Sequence, residues 1–179
     1  MTGTSDSGEH SATDPRNATD PRDATDDVPQ DGLTIQQQYF PDLPCFGCGP
    51  ANPAGLQLRS YPAGDFVVAS FTPWPEHDNG LGYLNGGIIA TLLDCHSAAA
   101  VTHEAYLRGW PALPGAPLPY VTAGLDVRFL RPSPLHEPVT LIGQVRSAAE
   151  AQMSAEVRLE WDGKTRAEAS AVWKRWRPR

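Results

Sequence analysis

The hydrophobic and polar positions divide the chain into two stretches of different character. Residues 1–31 have few large apolar side chains and contain the degenerate repeat TDPRNATDPRDATDD. Such a stretch buries too little surface to offset the entropy of ordering the chain, so we predict a disordered acidic tail over residues 1–31. Residues 32–179 contain apolar runs with regular spacing, and their length predicts one folded domain.

The first half of this domain combines two β-like runs with one long helical run. Residues 56–61 and 66–71 read as a β-hairpin, with Pro-Ala-Gly-Asp as its turn. The apolar residues of GGIIATLLDCHSAAAVTHEAY, which begins at residue 86, recur at helical spacing. Since alanine is abundant and proline is absent there, we predict about 20 residues of helix.

The second half contains four β-like runs separated by turn signals such as Asp162-Gly163. They span residues 121–130, 139–145, 153–161 and 167–176. Simple alternation places these residues of the first run on one face: Val121, Ala123, Leu125, Val127 and Phe129. The order predicts an α+β fold, an antiparallel sheet of about six strands packed on one long helix. Because such a unit leaves sheet edges open, we expect a homodimer with two-fold symmetry.

Charge and composition exclude several classes of partner. Residues 1–31 hold eight acids and two arginines and so carry −6 of the formal net charge of −7. The near-neutral domain shows no clustered basic face, which predicts no nucleic-acid partner. We see no signal peptide and no apolar run of membrane-spanning length, and therefore expect no membrane association. Three cysteines, an odd number, fit the cytoplasm better than a disulfide framework.

Candidate chemistry is concentrated in NGLGYLNGGIIATLLD, residues 79–94. Gly86 and Gly87 stand where the predicted helix begins, at backbone N–H groups that have no partner and at the positive end of the helix dipole. Glycine lets a ligand approach this backbone closely. A thioester carbonyl at the Gly86 N–H would be polarised as in an oxyanion hole. The structural alternative is a tight helix entry with Asn85 as N-cap.

Asp94 is an acid inside the apolar run, eight residues after Gly86. The two are about 12 Å apart along a helix, so one chain cannot easily aim both at the same carbonyl. A two-fold partner can bring its own Asp94 to the Gly86 end. A carboxylate among apolar residues is costly unless it is paired or functional, and burial makes it a better base. A solvent-facing acid on a polar stripe of the helix is the alternative.

This motif resembles that of the PaaI-like hotdog-fold acyl-CoA thioesterases. Their pattern has an Asn, a short loop with Gly, then His-Gly-Gly, and an acid eight residues beyond the first glycine. VTAGLDVRFLRPSP, residues 121–134, and CFGCGPANPAGLQL, residues 45–58, resemble further segments of the family. The resemblance covers about residues 40–176 and implies the hotdog fold, in which the sheet wraps round the long helix.

The resemblance implies an enzyme that hydrolyses acyl-CoA to a free acid and CoA, with neither cofactor nor metal. Asp94 is then the general base or nucleophile, acting on a thioester bound mainly by the partner subunit. The Gly86 N–H polarises the carbonyl. Asn79 matches a loop residue that holds the carbonyl or a water, and Thr122 matches a Ser or Thr that orients the attacking water.

Asn85 departs from the family pattern, which has histidine before the two glycines. Asparagine can donate and accept hydrogen bonds and can cap the helix, but it does not titrate near neutral pH. Asn85 and Gly87 are candidates for substrate binding. The replacement motivates a second hypothesis, a non-hydrolytic acyl-CoA or acyl-ligand binding protein on the same fold. A hydratase acting on enoyl thioesters is a weaker third option.

Arginine and serine side chains supply further candidates for substrate binding. Arg128 and Arg131 flank Phe129, and arginine suits the phosphates of CoA, although exposed arginines are common on strands. Ser97 follows Asp94 by one turn and either lines the pocket or packs in the helix. The acyl group, the carrier (CoA or acyl carrier protein) and the choice between a dimer and a homotetramer stay open.

Cys45 and Cys48 form a C-x-x-C motif, which is half of a zinc site. No second C-x-x-C or H-x-H accompanies it, and Cys95 with His96 would complete it only if folding brought them there. We therefore expect local turn packing rather than a metal site at these cysteines.

Overall fold

The computed structural model describes residue 28 and residues 32–178. The predicted disordered tail thus lies, except for Val28, outside the described residues. The elements follow in the order α1 (Ile35–Tyr39), β1 (Tyr61–Ala63), β2 (Phe66–Phe71), a 3-10 helix (Pro75–His77), α2 (Gly86–Leu107), β3 (Tyr120–Phe129), β4 (Val139–Ala149), β5 (Gln152–Trp161) and β6 (Lys164–Arg175).

The six strands form one antiparallel sheet with the spatial order β1-β2-β4-β5-β6-β3. Helix α2 packs on this sheet and contacts every strand from β2 to β6. The predicted α+β arrangement, six antiparallel strands with one long helix, is therefore confirmed. Within the described part of the chain, no helix combines the length and the apolar character needed to cross a bilayer.

Small and branched apolar side chains let α2 lie close to the sheet. Leu92, Leu93, Ala99 and Val101 are completely buried on the helix. On the facing strand, a Cβ at Gly143 would lie 3.2 Å from His96 Cδ2, so this glycine makes room for the imidazole. The close approach fixes the rotation of α2 about its axis and thereby the direction of each functional side chain on it.

His96 carries a chain of polar contacts through the core. Its ring is fully buried, with Nε2 2.9 Å from the Val67 carbonyl and Nδ1 3.0 Å from Ser60 Oγ. Since a carbonyl only accepts, Nε2–H donates to Val67 and the Ser60 hydroxyl donates to Nδ1. Gln36 Nε2 in turn donates to Ser60 Oγ at 3.0 Å. These bonds tie α1, α2 and β2 together.

The prediction of a strand over residues 56–61 is wrong, because β1 begins only at Tyr61. The backbone N–H groups of residues before Tyr61 donate to a neighbouring loop and to α1 instead of to β2. Leu56 N–H donates to the Phe46 carbonyl at 2.7 Å, and Leu58 N–H donates to the Gly47 carbonyl at 3.0 Å. The loop preceding the predicted hairpin therefore occupies the hydrogen-bonding positions that β2 would have filled.

The alternation predicted for β3 is also wrong at its start, because the register with β6 shifts between Thr122 and Gly124. Thr122 lies opposite Trp173, and Leu125 lies opposite Ala171, and both partners are buried. Directly opposed residues of antiparallel strands point to the same face. The bulge therefore places Thr122, rather than Val121, on the face that packs against α2.

Candidate active site

The start of α2 presents the predicted anion-binding backbone. Asn85 is the N-cap, and its Oδ1 accepts a hydrogen bond from the Gly87 N–H at 2.8 Å. The Asn85 N–H donates to the His77 carbonyl at 2.8 Å, which anchors the helix start to the preceding 3-10 helix. Gly86 is the first helical residue, and an N–H at this position has no acceptor within the helix.

The two glycines of this turn differ in whether packing within the chain requires a residue without a side chain. A Cβ at Gly87 would lie 3.1 Å from Asn85 Oδ1 and would crowd the cap. A Cβ at Gly86 would meet Phe129 Cζ at 3.4 Å, which is ordinary van der Waals contact. Packing within the chain thus explains Gly87 but does not require glycine at position 86. Gly86 itself is half-buried.

Asp94 lies half-buried on α2 and accepts a hydrogen bond from strand β3. Thr122 Oγ1 donates to Asp94 Oδ1 at 2.9 Å. Burial raises the pKa of the Asp94 carboxyl, while the hydrogen bond from Thr122 opposes that rise. The bond to Oδ1 fixes the plane of the carboxylate and leaves Oδ2 to meet a water. The β3 bulge is what brings Thr122 into this contact.

Ser97 lies in the core beneath the acid. Its side chain is fully buried, and Oγ donates to the Asp94 carbonyl at 2.8 Å and accepts from Trp173 Nε1 at 3.1 Å. Both hydrogen-bonding capacities are used within the chain. The packing alternative for Ser97 is therefore favoured over contact with substrate.

Asn79 belongs to a loop that side-chain hydrogen bonds hold in shape. Its Oδ1 accepts from the Leu81 N–H at 2.8 Å, and its own N–H donates to the Tyr83 carbonyl at 2.9 Å. Asp78 Oδ1 accepts from Gly80 N–H at 2.7 Å in the same way. Because the loop engages Oδ1 of Asn79, the side-chain NH2 group is what is left to contact a ligand.

The two predicted phosphate-binding arginines do not join Asp94 in the single chain. Arg128 lies opposite Glu168 on the sheet face away from α2, because its neighbours Val127 and Phe129 point toward the helix. Arg131 Nη1 donates to the Thr165 carbonyl at 3.0 Å. A role of either arginine toward CoA stays a prediction.

Three cysteine thiols meet at a place where the sequence indicated only two. Cys95 of α2 joins Cys45 and Cys48, and the three Sγ atoms lie within 4.8 Å of one another. The group is therefore not confined to the local turn, because a residue of α2 joins it, and the expectation of packing rather than a metal site stays a prediction. Hydrogen bonds from the Cys48 and Cys95 thiols lower the pKa of Cys45. The sequence signal was present in Cys95, but only the fold shows that it faces the loop.

Comparison with known proteins agrees with this fold. The model of the thioesterase superfamily matches residues 81–168, which run from the loop before α2 into β6. No curated protein matches the chain. The match to residues 81–168 supports a thioesterase-type function.

Solved structures of proteins of this class share the fold. A thioesterase superfamily protein from Shewanella loihica is 26% identical, covers 72% of this chain and 98% of its own, and gives a TM-score of 0.54. The PaaI protein of the Escherichia coli phenylacetic acid degradation operon is 22% identical over 68% of this chain and 81% of its own, with a TM-score of 0.57. The fold is the hotdog fold, and the PaaI-like resemblance indicated by the sequence motifs is confirmed.

A third solved structure contains a thioester. The protein smu.793 from Streptococcus mutans, bound to acetyl-CoA, is 16% identical over 66% of this chain and 88% of its own, with a TM-score of 0.55. At this identity the likeness is one of fold.

Proposed function

We propose that the protein is an acyl-CoA thioesterase, a hydrolase that converts a thioester to a free acid and CoA. The observation that carries the proposal is the half-buried Asp94 carboxylate, held by the Thr122 hydroxyl at 2.9 Å. A half-buried acid with one oxygen fixed and one free is suited to take a proton from a water. The match of the thioesterase superfamily model to residues 81–168 and the acetyl-CoA complex of the S. mutans protein support the substrate class.

The proposed reaction is a hydrolysis in which every proton has a place. Asp94 accepts a proton from a water whose oxygen attacks the thioester carbonyl carbon. The Gly86 N–H donates to the resulting oxyanion, which the helix dipole also stabilises. When the intermediate collapses, the carbon–sulfur bond breaks, and the CoA sulfur leaves with the proton. The Thr122 hydroxyl orients the carboxylate throughout.

The proposed site combines two chains. Gly86 and Asp94 are separated by two turns of α2, about 12 Å along its axis, so they cannot act on one carbonyl within a chain. We infer that Gly86 of one protomer faces Asp94 of its partner. Strand β3 forms a sheet edge whose last residue, Phe129, is 57% exposed, and an apolar edge of this kind is suited to pairing. A homodimer, or a dimer of dimers, follows from this proposal.

Asn85 supports a second candidate function, non-hydrolytic binding of an acyl-CoA or acyl ligand. Its Oδ1 is engaged by the Gly87 N–H, so the side chain has a structural task at the helix start. Asparagine cannot give or take a proton near neutral pH. If the reaction needs a titrating group here, turnover would be lower by roughly 10²–10⁴-fold, and binding would persist.

The cytoplasmic location that we expect from the odd number of cysteines stays a prediction.

Release of CoA from a panel of acyl-CoAs tests the proposal. It is measured by chromatography, since the cysteines of the protein would react with thiol reagents. Asp94→Asn should lower kcat by at least about 10²-fold while binding is retained. Asp65→Asn, which removes an exposed acid from the turn between β1 and β2, is the matched control and should leave turnover unchanged. Wild-type turnover by both variants would reject Asp94 as the base.

Replacing Asn85 distinguishes the two candidate functions. Wild-type protein that binds acyl-CoA without releasing CoA would favour the binding protein. Asn85→His should then raise CoA release if position 85 limits the reaction. Unchanged release would show that the position does not limit it.

A further inference from the structure

The cysteine cluster joins two segments that are distant in sequence and lies next to the proposed base. Cys45 and Cys48 lie in the loop before β1, and Cys95 follows Asp94 directly on α2. All three are free thiols, Cys48 and Cys95 buried and Cys45 half-buried. Packing needs apolar contact between such side chains, but it does not require that three sulfur atoms from two segments converge.

The measured distance between two of the sulfur atoms is compatible with a metal–thiolate group. Cys45 Sγ and Cys95 Sγ are 3.8 Å apart. Two thiolates on a tetrahedral zinc ion, each about 2.3 Å from the metal, are about 3.8 Å apart. A disulfide instead needs a separation of about 2.05 Å. The spacing of this pair is too long for a covalent bond between the sulfurs and is compatible with two ligands of one central ion.

The loop backbone is shaped around the sulfurs. A Cβ at Gly47 would lie 2.3 Å from Cys95 Sγ, so only glycine admits this thiol between Cys45 and Cys48. The Gly49 N–H donates to the Cys45 carbonyl at 2.9 Å and closes the turn.

We propose that Cys45, Cys48 and Cys95 bind one zinc ion as thiolates. Three Zn–S bonds form, and three thiol protons pass to the solvent, which makes binding dependent on pH. Three protein ligands leave a fourth position, which is filled by water or another ligand from the solvent side, where Cys45 is half-buried. The ion would fix the loop to α2 one residue from Asp94 and so hold the turn that carries the acid.

Metal content of the untagged full chain tests the proposal without reference to turnover. The protein is reduced with a phosphine, stripped with a chelator, loaded with zinc and desalted, and zinc is then measured by mass spectrometry. One zinc per chain is expected, and it should be absent from Cys95→Ser and from Cys48→Ser. His136→Ala, which removes an exposed histidine, is the control for adventitious binding and should retain the full amount.

Cobalt provides a second measurement that does not depend on how the variants fold. Wild-type protein loaded with Co²⁺ should show sulfur-to-cobalt charge transfer and the intense visible bands of a tetrahedral ion. The absence of both signals, together with no retained zinc, would overturn the proposal. Retention of the same amount of zinc by a folded Cys95→Ser variant would also overturn it. So would a protein that takes up no metal after reduction and forms a disulfide among these cysteines when it is reoxidised. Loss of thioesterase activity alone has no bearing on it.

Discussion

Replacing Gly86 by proline removes the one N–H that we place at the reacting carbonyl and leaves the rest of the helix start in place. Gly86 is the first helical residue, where proline is favoured because its N–H would have no partner in the helix. Asn85 already has the extended backbone that a following proline requires, with φ −62° and ψ 135°. The Asn85 cap is unaffected, since it accepts from Gly87.

The expected loss follows from the value of one oxyanion donor. Removing such a donor costs about 10²–10³-fold in kcat, or about 2.7–4 kcal/mol of transition-state stabilisation. Stability should change by less than about 1 kcal/mol, because the φ of proline suits the first helical turn. Gly86→Ala keeps the N–H, and its Cβ meets Phe129 at ordinary contact distance. It should therefore be at least about tenfold more active than Gly86→Pro.

The assay is steady-state hydrolysis of the best acyl-CoA of the panel, with CoA quantified by chromatography and thermal unfolding measured on the same samples. The reasoning is refuted if both variants unfold like the wild type and Gly86→Pro retains the activity of Gly86→Ala. The oxyanion would then be stabilised by another group.

Three further predictions concern stability. Burial lowers the pKa of His96 from 6.5 to about 4, so the unfolded chain binds this proton first as the pH falls. Urea unfolding should show the free energy of unfolding falling by up to about 3 kcal/mol between pH 6.5 and 4, with little change above pH 6.5. His96→Gln should reduce this dependence of stability on pH, and an unchanged dependence in the variant would contradict the assignment to His96. Asn85→Ala should cost about 0.5–2 kcal/mol through loss of the cap, and Asn85→Ser less, as measured by thermal unfolding. Gly47→Ala should cost about 1–3 kcal/mol, because its Cβ meets Cys95 Sγ at 2.3 Å, and an unfolding midpoint equal to that of the wild type would show that the loop yields freely.

Sequence pattern was sufficient where local chemistry decides structure. The alanine-rich, proline-free run became α2, and Asp162-Gly163 became a hairpin turn with φ of 52° and 62°. It failed where another segment competed for the same hydrogen bonds, as at residues 56–60, and where one extra residue changed the register, as between Thr122 and Gly124. Neither competition nor a bulge leaves a signal in the alternation of the strand itself.

The candidate site shows the same division. The family resemblance paired Thr122 with Asp94, and the fold brings the two into contact at 2.9 Å. The spacing of Gly86 and Asp94 along the helix is by itself too long for both to act on one carbonyl, and it thereby predicts a partner subunit. The convergence of Cys95 on Cys45 and Cys48 depends on how the loop folds back onto α2, which no spacing in the sequence encodes.

The claim that two chains share each site is tested most directly by a mixed dimer. Gly86→Pro and Asp94→Asn chains are co-expressed with different tags, and the heterodimer is isolated by both tags in succession. One of its two sites then contains both changes, and the other contains neither, so it should recover about half of the wild-type activity per dimer, although each homodimer is nearly inactive. A heterodimer as inactive as the two homodimers would contradict the account, because it would place Gly86 and Asp94 in the same chain's site.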